Sequence, residues 1–161
     1  AMKKLTLPAV VLILVSATVP AVEPEEFYNV VAYDAALKSL TITIAEEGPE
    51  ALDTERIHLL DGLVSEVTII DPNPESFLAE LILVNGEWQG LDEVEMYQAY
   101  VYLEGPAFAE RVPERVPREP TEEMILPNQR LLVAARIVDV YYDEQNRGFP
   151  VAMGFQVRKL P

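Results

Sequence analysis

The sequence predicts an all-β protein, a single antiparallel β-sandwich or small barrel built from hairpins. Apolar or alternating runs recur about every 8–12 residues with turn-forming residues between them, and no stretch sustains a helical period of apolar residues. The 161 residues, half of them hydrophobic, are enough for one domain with a packed core.

The first residues have the layout of a secretory signal peptide. Two lysines precede an apolar run from Leu5 to Val19, and Ala21 stands where cleavage would occur. The run is shorter than the ~20 residues of a membrane-spanning helix. We therefore expect residues 2–21 to be cleaved, residues 22–161 to form one all-β domain, and the protein to be periplasmic or secreted with no stable membrane span. A buried β-strand in the leader is the alternative.

The first part of the mature chain predicts three hairpins. The first joins Phe27–Tyr33 to Ser39–Ile44, where apolar and polar residues alternate. The second and third turn at Asp61-Gly62 and at Asn85-Gly86, dipeptides that favour two-residue type I′ turns between apolar runs. Between them the segment 71–75 carries two prolines and predicts a rigid loop.

The later part predicts a strand at Glu95–Glu104 and a long hairpin over Arg130–Lys159. A change of parity near Ile137 and Val138 predicts a bulge in the first strand of that hairpin. The expected core residues of this hairpin are Leu131, Val133, Phe149, Val151, Met153 and Phe155.

A Pro-rich loop, Gly105–Asn128, precedes this hairpin and should be largely extended. It contains Arg111, Arg115 and Arg118, although the whole chain has a net charge of −15. A semi-rigid arm presenting arginines to a partner is one interpretation, and a mobile, solvated loop is the other.

The composition excludes several kinds of chemistry. There is no cysteine, so disulfides and thiolate metal sites are absent. The sole histidine, His58, has no serine or cysteine at a telling spacing and is interpreted as a structural or surface residue. Asp71, Asn73 and Glu75 have the spacing that begins a calcium loop, but the prolines between them favour a simple turn. We therefore predict no catalytic, metal-binding or cofactor-binding residues, and no cofactor.

Several aromatic residues could line a groove, and their polar tips and apolar bodies suit a binding surface. They are Tyr97, Tyr100, Tyr102, Tyr141, Tyr142 and Trp88. Tyr100 and Tyr102 share one face of a strand, so they join the three arginines as the candidate partner-binding residues. Packing in the core with the hydroxyls at the rim is the alternative.

The leading functional hypothesis is an exported, non-enzymatic β-domain that acts as a binding or envelope-assembly module. Its partner would be another protein or a second copy, whereas the acidic charge argues against nucleic acid. A carrier with an internal barrel cavity for a small apolar ligand is the alternative. A carboxylate-based hydrolase is the third hypothesis and has the weakest support.

Overall fold

The computed structural model describes residues 30–32 and 36–161. Along them run the following elements: β1 (Val31–Ala32), α1 (Leu37–Glu46), a 3-10 turn (Pro49–Ala51), β2 (Ile57–Asp71), β3 (Leu78–Gln89), β4 (Glu93–Glu104), α2 (Pro106–Ala109), β5 (Arg130–Tyr142) and β6 (Gly148–Lys159). The predicted leader, residues 2–21, lies outside the described residues, so its cleavage stays a prediction. No helix in the described ranges has the length and apolar character that crossing a membrane requires.

The five long strands, β2 to β6, form a closed ring, and the two-residue β1 pairs with β2 outside it. Their order is β1-β2-β3-β4-β6-β5, and β5 also pairs with β2. β2, β3 and β4 form an antiparallel meander, β5 and β6 form an antiparallel hairpin, and β6 joins β4 in parallel. The all-β prediction is confirmed, and ring closure makes the fold a barrel. The parallel β4–β6 pair makes its sheet mixed instead of purely antiparallel.

The turn predicted at Asp61-Gly62 is wrong, because both residues lie inside the 15-residue strand β2. There Asp61 pairs with Leu132 of β5 and Gly62 with Leu131. A Cβ on Gly62 would lie 3.1 Å from the carbonyl oxygen of Val84. The glycine therefore serves a close approach of backbones where β2 passes from β5 to β3.

The turn predicted at Asn85-Gly86 is also wrong, because both residues continue β3. Asn85 pairs with Tyr97 and Gly86 with Met96, so the ladder extends well beyond the predicted turn. The hairpin instead reverses after Gly90, whose φ of 73° is in the left-handed region that favours glycine. The predicted rigid loop at 71–75 does connect β2 to β3.

The predicted first hairpin is wrong over its second half, since the predicted strand Ser39–Ile44 lies within helix α1. Leu37, Leu40 and Ile44 are buried at spacings of three and four residues, the period of one helical face. The threonines and isoleucines between them favour strands, but packing of this face against the barrel outweighs that weak preference. The predicted first strand falls largely on residues outside the described ranges.

The C-terminal hairpin and its bulge are confirmed, with the register shift between Ile137 and Asp139. Leu131 and Val133 are buried as predicted. The predicted inward face of β6 is wrong over most of its length, because Pro150, Ala152 and Gly154 point inward. Phe149, Val151 and Met153 are only half-buried, and Phe155 is exposed.

The interior of the barrel explains this reversal. A Cβ on Gly154 would lie 2.9 Å from Leu103, 3.0 Å from Val133 and 3.1 Å from Val101. All three of these side chains are fully buried, so only a very small residue fits at this point. The large apolar side chains of β6 are consequently left on the outside of the barrel.

The Pro-rich loop, residues 105–128, forms no strand but packs against the barrel. It begins with the short helix α2 and buries Phe108, Val112, Ile125 and Leu126. The amide of Ile125 donates a hydrogen bond of 2.8 Å to the carbonyl of Arg111. The two ends of the loop are therefore anchored to the core, whereas most of the residues from 114 to 123 are exposed.

Candidate functional site

An aromatic cluster lies on the outer face of the barrel where β4, β5 and β6 meet. The ring centroids of Tyr100 and Tyr141 are 5.3 Å apart in an edge-to-face arrangement, and those of Tyr100 and Phe149 are 6.2 Å apart. Tyr141 and Phe149 are stacked at 6.5 Å. These distances are typical of favourable aromatic pairs. The β5–β6 hairpin thus contributes two rings, and the distant strand β4 the third, to a single surface.

The bulge in β5 brings Tyr141 to this surface. Ile137 points into the core opposite Ala152, so a regular strand would also send position 141 inward. The register shift before Asp139 reverses the parity, and Tyr141 pairs with the outward Phe149. Half of the Tyr141 side chain is left exposed.

The β5–β6 turn places a cation over the cluster. The Asp143 carboxylate accepts hydrogen bonds from the amide of Gln145 (2.9 Å) and from the amide (2.8 Å) and Nε (2.7 Å) of Arg147. The bond from the Arg147 amide is the main cause that lowers the pKa of Asp143. The guanidinium carbon of Arg147 lies 5.8 Å from the ring centroid of Phe149, within cation–π range.

A cavity of about 640 Å³ adjoins the cluster, and it combines aromatic rings with carboxylates. Tyr100, Tyr102, Glu80 and Asp139 are among its lining residues. The Tyr102 hydroxyl donates to Glu80, and this hydrogen bond is the main cause that raises the pKa of Tyr102 to about 12. Desolvation raises the pKa of Tyr100. The cavity therefore offers hydrogen-bond acceptors beside aromatic rings.

A second, larger groove of about 1030 Å³ lies between β4, the start of β6 and α1. Its walls include Ile44 from the helix, Glu93 and Glu95 from β4, and Phe149 from β6. Phe149 is common to the groove and the aromatic cluster. The outer surface near the β5–β6 turn is thus continuous with an open groove.

The structure brings Tyr100 and Tyr102 together on one face, where the sequence places them, and both line the same cavity. Phe149 was assigned to the core by sequence reasoning, so its place in the cluster was missed. The small residues that alternate with it, Ala152 and Gly154, are the signal that the opposite face of β6 is the one inside a narrow barrel.

The three predicted arginines have different environments. Arg111 is half-buried and donates to the carbonyls of Glu123 (3.1 Å) and Val157 (3.2 Å), so it ties the Pro-rich loop to β6. Arg115 and Arg118 are exposed. Of the two valines that an extended arm would present to a partner, Val112 is only 2% exposed and Val116 is 65% exposed. Binding by Arg115 and Arg118 stays a prediction.

His58 is buried, and its Nε2 donates to the carbonyl of Asp53 at 2.6 Å. This contact agrees with the structural interpretation of the residue. Completely buried side chains, among them Leu60, Leu81 and Val101, fill the interior of the barrel. This packing does not agree with the internal cavity expected of a small-ligand carrier.

No protein-family model and no curated protein matches the chain. Among solved structures, it is similar to a single-stranded DNA-binding protein from Thermus aquaticus, with 13% identity and a TM-score of 0.39. The match covers 63% of this chain and 48% of that one, so the chain spans about half of its length. It is also similar to a small single-stranded DNA-binding protein from Streptomyces coelicolor, with 10% identity, a TM-score of 0.38, and coverage of 64% of this chain and 90% of that one.

These neighbours overturn two sequence-based predictions. The prediction of an exported envelope or assembly module is wrong, and so is the exclusion of nucleic acid, since both neighbours are single-stranded DNA-binding proteins. The exclusion of nucleic acid rested on the net charge of the whole chain, which does not describe the chemistry of one surface. TM-scores below 0.5 do not identify this chain's ligand, which has to be argued from its own residues.

Proposed function

We propose that this protein is a non-enzymatic binding protein that holds a short single-stranded oligonucleotide on the outer face of its barrel. The observation that carries the proposal is the cluster of Tyr100, Tyr141 and Phe149, with Arg147 beside it. Aromatic rings on a sheet surface stack with bases of any sequence, and arginine adds cation–π contacts.

The strand order supports this proposal. The five long strands close in the order β2-β3-β4-β6-β5, and the two-residue β1 pairs with β2 outside this ring. A five-stranded Greek-key barrel is the architecture of the OB-fold, whose central strands and adjoining loops bind oligonucleotides and oligosaccharides. The aromatic cluster lies on that kind of surface, next to the β5–β6 turn. A fold does not by itself specify a ligand, so the side chains of the cluster decide.

The charge of the chain sets the expected affinity. Stacking contributes about 1–3 kcal/mol per base, so two bases contribute about 2–6 kcal/mol. The net charge of −15 opposes phosphate at long range and reduces this gain. We therefore expect weak binding, with a Kd no tighter than roughly 40 µM and extending into the millimolar range.

The same charge predicts an unusual dependence on salt. For single strands the logarithm of the binding constant falls by about 0.7 per decade of salt for each phosphate that the protein neutralises. Arg147 is the cation placed at the cluster, and its side chain is 66% exposed. A slope no steeper than about −1 is expected, because added salt also screens the repulsion by the acidic residues.

An uncharged oligosaccharide is a second candidate, favoured by the carboxylates in the cavity. Glu80 and Asp139 stand beside Tyr100 and Tyr102, and carboxylate oxygens accept hydrogen bonds from hydroxyl groups while sugar rings lie on aromatic faces. Such a ligand would not be repelled by the net charge. It would fill the cavity instead of stacking across the Tyr141–Phe149 pair.

The test is a titration of a fluorescently labelled oligothymidine of about ten nucleotides, within the usual site size of a single barrel, by anisotropy. Phe149→Ala and Tyr141→Ala should each weaken binding at least about fivefold, the equivalent of 1 kcal/mol. Phe155→Ala is the matched control: Phe155 is an exposed phenylalanine on the same strand. It should bind like the wild type.

Three results would contradict the proposal. They are no binding at low salt, equal losses in Phe149→Ala and Phe155→Ala, and a salt slope steeper than about −3, which would indicate phosphate contacts elsewhere. Competition by neutral oligosaccharides in the absence of oligonucleotide binding would favour the second candidate.

A further inference from the structure

The free edge of β4 provides a second interaction surface. β4 pairs with β3 from Glu93 to Glu104, but its parallel pairing with β6 covers only Tyr100 to Leu103. Within residues 30–32 and 36–161, no other strand pairs with β4 on this side. Residues 93–96 are exposed, whereas Tyr97 and Ala99 further along are buried. The main chain of residues 93–96 is therefore an open sheet edge, which is a template for another extended chain.

This edge opens into the groove of about 1030 Å³ described above. The edge itself supplies residues 93–97, the turn and the start of β6 supply residues 146–149, and α1 supplies Thr41, Ile44 and Ala45. Strands pair at a spacing of about 4.8 Å. A groove of this volume, with a strand edge along one side, has the form of a site for a short extended peptide.

The two faces of the edge differ in chemistry. Val94 and Met96 point to one face and are 41% and 58% exposed; Trp88, paired with Val94, is 69% exposed. Glu93 and Glu95 point to the other face, and Glu87 pairs with Glu95 there. The edge is thus apolar on one face and acidic on the other.

From these observations we infer that the β4 edge binds a basic peptide segment by strand addition, one in which apolar and Lys or Arg residues alternate. Successive side chains of an added strand would meet the two faces in turn, the apolar ones beside Val94 and Met96 and the cationic ones beside Glu93 and Glu95. The net charge of −15 would speed association with such a basic segment.

Two carboxylates on this face, Glu95 and Glu87, already have neighbours, and this limits the expected strength. Burial and the neighbouring Glu95 carboxylate raise the pKa of Tyr97, and Lys38 forms an ion pair with Glu87 at 2.5 Å. Glu93 is exposed. The cationic side chains of the peptide would therefore be selected mainly by Glu93, with Glu95 assisting, and main-chain hydrogen bonds would supply a large part of the affinity.

The probe is a capped peptide of about eight residues with strictly alternating lysine and valine, long enough to span residues 93–98 at about 3.4 Å per residue. It is titrated into isotope-labelled protein and followed by NMR. Shifts should be largest at residues 93–98. A peptide of the same composition with the lysines in one block should bind at least tenfold more weakly, because it cannot serve both faces.

Two controls separate strand addition from simple charge attraction. Methylating alternate backbone amides of the peptide keeps its charge but removes hydrogen bonds, so it should reduce binding at least tenfold when the edge-facing amides are blocked. Glu93→Gln should weaken binding about threefold to tenfold, whereas Glu122→Gln, an exposed glutamate on the Pro-rich loop, should have no effect.

The inference is contradicted if the block peptide and the methylated peptide bind as well as the alternating one. It is also contradicted if the shifts lie outside this groove, or if the edge is occupied in solution by a second copy, seen as a dimer that the peptide does not dissociate. The oligonucleotide titration is unaffected by any of these results.

Discussion

Gly154→Val should destabilise the protein by about 2 kcal/mol. The first added carbon alone would lie 2.9–3.1 Å from carbons of Leu103, Val133 and Val101, well inside the ordinary contact distance of about 3.5–4.0 Å. Overpacking of this kind costs up to about 3 kcal/mol. The lower flexibility of valine in the unfolded chain offsets at most about 1 kcal/mol.

Gly86→Val is the matched control, because it is the same substitution within a strand of the same barrel. The added carbon would lie 3.1 Å from Met96 and Val94, but these side chains are exposed and can move aside. Gly86 does not have a positive φ, so valine meets no backbone strain there. We expect a change within about 0.5 kcal/mol.

Both variants are compared with the wild type by thermal and urea denaturation. Gly154→Val should lower Tm by on the order of 10 °C, and Gly86→Val by little. The reasoning is refuted if the two variants lose the same stability, or if Gly86→Val is the more damaging. That second result would instead support a turn at Asn85-Gly86.

Two further predictions concern the loop and the turn. Arg111→Ser should lower the free energy of unfolding by about 1–3 kcal/mol, because the guanidinium donates hydrogen bonds to the carbonyls of Glu123 and Val157. Arg115→Ser should change this free energy by less than about 0.5 kcal/mol. Equal effects of the two substitutions in urea denaturation would contradict the anchoring role of Arg111. Asp143→Asn should be less stable than the wild type at neutral pH. Because the pKa of Asp143 in the folded protein is below its ordinary value of 3.8, its stabilising effect is present above that value and is lost as the pH falls through the folded pKa. Denaturation midpoints of the two proteins should therefore converge in acid, and a difference that persists there would contradict the account.

The sequence predicted strands best where two signals agreed. The C-terminal hairpin has apolar alternation, a polar turn and a parity change, and its strands and bulge were all located correctly. Periodicity did not reveal which face of β6 was inside, since that depends on the width of a closed barrel. Gly154 and Ala152 fit inside the barrel, where the strands approach closely. The large apolar residues of β6, such as Phe149 and Phe155, resemble core residues in the sequence but lie on the outside.

The two dipeptides expected to form turns failed for a physical reason. Asp-Gly and Asn-Gly favour a type I′ turn only when the chain can reverse there. Strands β2 and β3 are held straight through Gly62 and Gly86 by ladders on their partners, and those long-range pairings are not visible in a local window. Helix α1 was missed for a similar reason. Leu37, Leu40 and Ile44 form a buried face only because the helix packs against the barrel, and a local window does not contain that contact.

The candidate site could be predicted only in part. Tyr100 and Tyr102 share a strand, so alternation alone places them on one face. Tyr141 and Phe149 join Tyr100 through the bulge in β5 and the parallel pairing of β4 with β6, which bring residues about forty positions apart in the chain into contact. No spacing in the sequence encodes that contact.

The most direct test of the central claim is NMR mapping of an oligothymidine titrated into the labelled protein. The account predicts that the largest shifts fall on Tyr100, Tyr141, Arg147 and Phe149, and that they vanish in a Tyr141→Ala/Phe149→Ala double variant that stays folded. Shifts centred on Arg115 and Arg118 of the Pro-rich loop, or shifts that survive in the double variant, would contradict it.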